Sequence, residues 1–274
     1  MALGSFLLVV AVLPRGWTGR FLESIYLMLA GLTGPTCLMI LPSSAFLAWK
    51  LPGRWRWARF SILAVCGIAQ VCALTILDPT RRSNSGFGAN PAILTRILSG
   101  NIFLGALLGC TPLAVMPGSG AMVFLLCVAV AGLAIIVWCF VKSEMEMKLF
   151  LVFTALVFFV SLWRPTASSP PGTSVWQVLA EASGVRYWFL PSLAFAWSLL
   201  WCARSGNAVL KPVSAVLLCT MCFGAALNWR RQALHDLHFA EYAKSFEAAP
   251  AGTVMVIPEN PEGWRIRLVK HACR

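Results

Sequence analysis

The chain is 274 residues long, 59% hydrophobic and only 12% charged, with a mean hydropathy of +0.77. Soluble domains carry about a quarter charged residues, so the composition excludes a soluble globular domain and points to a polytopic helical membrane protein. The 22 Lys and Arg against 10 Asp and Glu leave a net charge of +12, but these cations sit mostly in short loops beside apolar runs. That pattern speaks for membrane topology and anionic lipid, and against a nucleic-acid partner.

Met1 to Leu13 is apolar and short, as a short or truncated first span would be, and it lacks the basic start of a signal peptide. Arg15 to Arg20 reads as an interfacial turn. Phe21 to Leu32 reads as an interfacial or partly buried helix carrying Glu23, and Gly31-Leu-Thr-Gly-Pro35 breaks it. Thr36 to Trp49 is the next span, with Pro42 as a kink. Lys50 to Arg59 is a basic loop without an acidic residue, which places it in the cytoplasm. Phe60 to Leu77 then returns across the bilayer.

Asp78 to Asn90 is polar and falls outside on this scheme. Its Arg81-Arg82 pair runs against the usual charge bias, which invites a role in holding a lipid-linked phosphate. Pro91 to Pro117 is apolar, but Arg96, Asn101, glycines and prolines interrupt it. A single span here would switch the side of every later loop and put the Arg186 loop with Lys50–Arg59. A re-entrant or flat course, preferred because it groups the short basic loops, keeps Lys142–Lys148 and Arg204–Lys211 on the side of Lys50–Arg59. Ala121 to Val141, Leu149 to Trp163, Tyr187 to Ala203 and Val209 to Trp229 are clear spans.

The tail from Arg230 is polar. Ala233 to Phe246 predicts an amphipathic helix with Leu234 and Leu237 on its apolar side. Val254–Pro258 and Trp264–Val269 predict two strands around the turn Glu259–Gly263. Alternation in the second strand directs Trp264, Ile266 and Leu268 to a packed face, and Arg265, Arg267 and Val269 to water or lipid headgroups.

The polar residues limit the chemistry. Nine of the ten cysteines lie in or beside apolar segments, where Cys acts as a small hydrophobe, and Cys273 is alone in the tail, so no disulfide framework is implied. Cys219-Thr-Met-Cys222 has redox spacing but sits inside a span. His235 and His238 share a helical face without a third ligand in sequence, so no metal is expected, and no cofactor motif appears. Carboxylates are absent from the clear spans, which weighs against ion-coupled transport.

At Gly184-Val-Arg-Tyr-Trp-Phe-Leu-Pro191 a polar loop re-enters an apolar span, with Arg186 and Tyr187 at its lip. They suit either an interfacial anchor or a phosphate-binding Arg with an orienting Tyr. Together with Gly31–Pro35 and Ile257-Pro-Glu-Asn-Pro-Glu-Gly-Trp264, this arrangement resembles the C-terminal half of bacterial GT-C-like glycosyltransferases that use polyprenyl-phosphate sugars. The resemblance covers roughly residues 21–269. It implies a membrane enzyme of cell-envelope polysaccharide or glycolipid assembly, holding a lipid-linked sugar through Arg186 and Tyr187. That class keeps acidic catalytic residues in its first outer loop, where this chain offers only Glu23. The resemblance therefore implies a chain that is the C-terminal half of such an enzyme, or one without transferase activity.

The expected fold is an all-α transmembrane helix bundle of about seven spans (residues 1–229), followed by a small α+β extramembrane unit (residues 230–274). The bilayer and a lipid-linked sugar or anionic lipid are the expected partners, with Arg81, Arg82, Arg186 and Tyr187 as binding residues. The expected setting is the bacterial cytoplasmic membrane, with the tail on its outer face. The alternative from another class is a non-catalytic multi-pass protein that scaffolds or moves envelope lipid or polysaccharide.

Overall fold

The computed structural model of the chain describes residues 2–11, 14, 16–34, 36–77, 88–109, 119–163, 174–180, 185–229, 236–259 and 264–271. The chain divides into two compact units, Met1–Leu227 and Asn228–Arg274.

The described elements of the first unit are all helices. Its helices are α1 (Ala2–Ala11), α2 (Gly16–Leu32), α3 (Thr36–Lys50), α4 (Arg54–Cys72, running on as a π-helical turn Ala73–Leu77), α5 (Pro91–Leu108), α6 (Ser119–Lys142), α7 (Met145–Trp163), α8 (Val175–Ala180), α9 (Val185–Ser205) and α10 (Leu210–Asn228). Among the described residues, five helices are long and apolar enough to cross a membrane: Arg54–Ile76, Pro91–Leu108, Ala121–Lys142, Met145–Trp163 and Leu210–Leu227. The expected count of about seven is not confirmed; Ala2–Ala11 and Thr36–Lys50 are apolar but shorter.

Two boundaries differ from the sequence reading. α2 already begins at Gly16, within the stretch expected as an interfacial turn. α4 begins at Arg54, so most of the expected basic loop is its first turn and a half, and Arg59 is buried at 1% exposure. The turn between α3 and α4 closes through Gly53, whose φ of 137° is a conformation L side chains rarely adopt.

Tight ring contacts and small residues hold the bundle, as expected where lipid removes most of the hydrophobic gain from helix association. Phe6 of α1 stacks on Phe153 of α7 at 4.8 Å, and Phe150 tilts against Trp197 of α9 at 4.7 Å. Phe103 of α5 meets Phe195 of α9 at 4.9 Å and lies over Gly132 of α6. A Cβ on Gly132 would stand 2.6 Å from that ring, so only glycine admits the packing.

Among the described residues, three helix connections gather at one end of the bundle. Leu51, Met145 and Met147 pack with Leu47 in one cluster, which brings the α3–α4 and α6–α7 connections together. Residues of the α9–α10 connection line a cleft with Lys142 and Glu144, so it joins the same end. This end carries Lys50, Arg54, Arg56, Arg59, Lys142, Lys148, Arg204 and Lys211, and we call it the basic end.

α5 keeps away from that end. Asn90 caps its start by accepting from Ala92 N at 2.8 Å, and Pro91 takes the first helical position. Its first turns pack on α8. In its π-helical middle, Asn101 Nδ2 donates to Leu179 O and Ala180 O of α8, each at 3.2 Å. α8 is in turn fixed near the end of α7, where Trp176 Nε1 donates to Leu162 O at 3.1 Å. At its C-terminus, Leu107 O faces Gly224 in the last turns of α10. The start and end of α5 therefore meet the half of the bundle opposite the basic end, while Phe103 reaches the middle of α6 and α9.

In the second unit, α11 (Phe239–Ala248) precedes an antiparallel hairpin of β1 (Val254–Glu259) and β2 (Trp264–Val269). The helix starts at Phe239 and not at Ala233. Asp236 Oδ1 accepts from His238 N at 2.9 Å, and His238 sits at φ 54°, a left-handed turn that no continuous α-helix passes through. Leu234 lies outside the described residues. α11 packs on β1, where Ile257 is 2% exposed.

Candidate functional site at the basic end

A cleft of about 500 Å³ opens at the basic end, lined by Trp138, Lys142, Glu144, Trp201, Ser205, Gly206 and Asn207. Two helix ends build it. Trp138 and Lys142 lie one turn apart on α6, so they share a face. The Lys142 ammonium stands 5.8 Å from the centre of the Trp138 ring, a cation–π distance. α6 closes through Ser143 N donating to Cys139 O at 2.8 Å, which leaves Glu144 exposed in the two-residue turn before α7.

The facing wall comes from α9 and α10. Gly206 ends α9 with its N–H on Cys202 O at 2.8 Å, and a Cβ there would stand 2.3 Å from that oxygen. Asn207 then caps α10, its Oδ1 accepting from Val209 N at 3.2 Å and Leu210 N at 2.8 Å. The two helix C-termini at the cleft each carry a cation in the last turn, Lys142 and Arg204. Cations there offset the negative end of the helix dipole.

The lining therefore combines two indole surfaces with an ammonium, a carboxylate, a hydroxyl and an amide. Such a set suits a polar head with C–H faces, hydroxyls and an anionic group. Among the described residues, no group of three or more His, Cys, Asp or Glu could hold a metal ion. His238 only approaches Glu241, at 3.7 Å on an exposed surface.

A second polar cluster lies buried in the same half of the bundle. Glu23 Oε1 and Arg59 Nη2 form an ion pair at 2.6 Å, with side chains 4% and 2% exposed respectively. Trp55 Nε1 donates to the other carboxylate oxygen at 2.8 Å, and Arg59 Nη1 donates to Val9 O at 3.3 Å. The one carboxylate that the first loop offered for catalysis is thus committed to a structural pair.

Of the binding residues singled out from sequence, only the Tyr187 side chain falls among the described residues. Arg81 and Arg82 lie outside the described residues. Arg186 and Tyr187 open α9, at the end opposite the cleft, and the Arg186 side chain lies outside the description. Tyr187 is half-buried, packed with an apolar cluster, its ring 6.2 Å from that of Trp188. The neighbouring Trp188 is buried and donates to Leu179 O at 3.2 Å, so the aromatic pair locks α9 to α8. Sequence reasoning used the Lys142 and Arg204 loops for topology and missed the cleft. The available signal was a Trp one turn before a terminal Lys, paired with the Ser-Gly-Asn stop of another span.

No family model matches the chain, and no curated protein or solved structure matches it either.

Proposed function

We propose that this chain is a multi-pass membrane protein that holds the head of an anionic, sugar-bearing lipid in the cleft of Trp138, Lys142, Glu144, Trp201, Ser205 and Asn207. The observation that carries this reading is the pairing of two indole walls with one ammonium and three neutral or anionic hydrogen-bonding groups at a helix-end cleft. Indole faces stack on sugar C–H surfaces, Lys142 meets the phosphate, and Glu144, Ser205 and Asn207 take hydroxyls. Charge bias puts the basic end in the cytoplasm, so the head is held at the cytoplasmic surface of a bacterial inner membrane. On this scheme α10 delivers the tail to the outer face.

Binding without turnover is the first reading, because Glu23 is occupied by Arg59. Glu144 supports a second reading, glycosyl transfer of the lipid-linked-sugar kind. It is an exposed carboxylate in the cleft, able to take the proton of an acceptor hydroxyl.

Native mass spectrometry of the full chain with a polyprenyl-phosphate sugar, and with the matching polyprenol, tests both readings. The phosphorylated sugar lipid is expected to stay bound and the polyprenol to be lost. Lys142→Gln should weaken binding about tenfold or more, the worth of one charge-assisted hydrogen bond. Equal retention of both lipids, or an unaffected Lys142→Gln, refutes the site. Glu144→Gln that keeps binding but abolishes sugar transfer selects the enzyme.

A further inference from the structure

We propose that the open face of the C-terminal hairpin docks on the surface of an anionic bilayer. The strand register sorts its side chains into two faces. Met255 pairs with Leu268 and Ile257 with Ile266, and this is the side where Ile257 is buried. The other face comprises Val254 opposite Val269, Val256 opposite Arg267, and Pro258 opposite Arg265. On it Val254, Val256 and Val269 are 45%, 48% and 45% exposed, and both arginines are exposed.

Three features select the partner. The face carries two guanidinium groups and no carboxylate, so it complements a negative surface. Its apolar part is three short valines at the level of the arginine stems. Such a surface enters only the headgroup layer while the guanidiniums stay with the phosphates. The unit also follows directly on α10, an apolar helix able to cross the membrane, so the chain tethers it within reach of the bilayer at high effective concentration. Six residues on a flat two-stranded face fall well short of the roughly 1,000 Å² that a specific protein interface needs.

The test uses the full chain in nanodiscs of phosphatidylcholine alone or mixed with phosphatidylglycerol. A photoreactive amino acid replaces Val256, and adducts are identified by mass spectrometry. Lipid adducts are expected in the anionic discs, few in the neutral ones, with yield falling as salt is raised. In Arg265→Gln/Arg267→Gln the adduct yield should drop about fivefold for each arginine removed. Amide exchange across β1 and β2 shows whether that variant keeps the hairpin. If it does not, the salt series on the parent protein decides alone. Equal adducts in both lipids, adducts only to a second copy of the chain, or none at all overturns the proposal. The cleft at the basic end plays no part in it.

Discussion

Glu23 and Arg59 meet at 2.6 Å inside the bundle, and both are nearly shut off from solvent. Trp55 completes the carboxylate, and Arg59 also reaches Val9 O in the last turn of α1. The pair therefore ties three helices, and its arginine satisfies a carbonyl that a helix end leaves open. Breaking one partner should cost far more than removing both. Arg59→Met is expected to destabilise by roughly 3–5 kcal/mol, because Glu23 is left buried with an uncompensated charge. Glu23→Leu with Arg59→Met should regain most of that loss. Denaturant unfolding of the purified protein and its variants closes this double-mutant cycle. Additive losses would show that the two residues act separately.

The course of α5 is testable by sidedness. Asn90 and Gly109 flank the helix, and its contacts with α8 and with Gly224 of α10 fall in the half opposite the basic end. Single cysteines introduced at these two positions should react with an impermeant thiol reagent from the same side of the membrane. Cysteines at Arg54 and Glu144 should react from the other side. Reaction of Asn90 and Gly109 from opposite faces would mean that α5 spans.

Gly132 and Phe103 set the closest approach of α6 and α5. Gly132→Val forces the ring to move and should cost about 1–3 kcal/mol, the usual range for overpacking. Phe103→Ala costs stability by itself but should relieve the clash, so the double variant loses less than the two single losses summed. Thermal unfolding in detergent measures the coupling.

Asn101 ties α5 to the last carbonyls of α8. Asn101→Leu keeps the volume and removes both donors, leaving Leu179 O with only Trp188 and Ala180 O without this bond. The expected loss is about 1–3 kcal/mol. Faster proteolysis between α7 and α9 in the variant, with the α1–α4 half unchanged, is the checking result.

Composition alone determined the class. A chain this apolar and this poor in charge cannot remain dissolved as a monomeric domain, and run length with a 3.6-residue period defines its helices. The short cationic turns at Lys142 and Arg204 were legible too, whereas most of Lys50–Arg59 is helix and Arg59 is buried. The two strands of the hairpin were legible from alternation, while their register came from the structure, which leaves Leu268 37% exposed on the face expected to pack. Tertiary structure alone decided which polar groups become partners. Nothing local to Glu23 says that Arg59, a helix and two connections further on, will neutralise it, and the sequence reading left that arginine in a loop. The cleft has the same origin, since Lys142 and Asn207 come together only because α6 and α9 end at the same depth. Burial and pairing depend on distances between segments, and a one-dimensional pattern records spacing only along a single element.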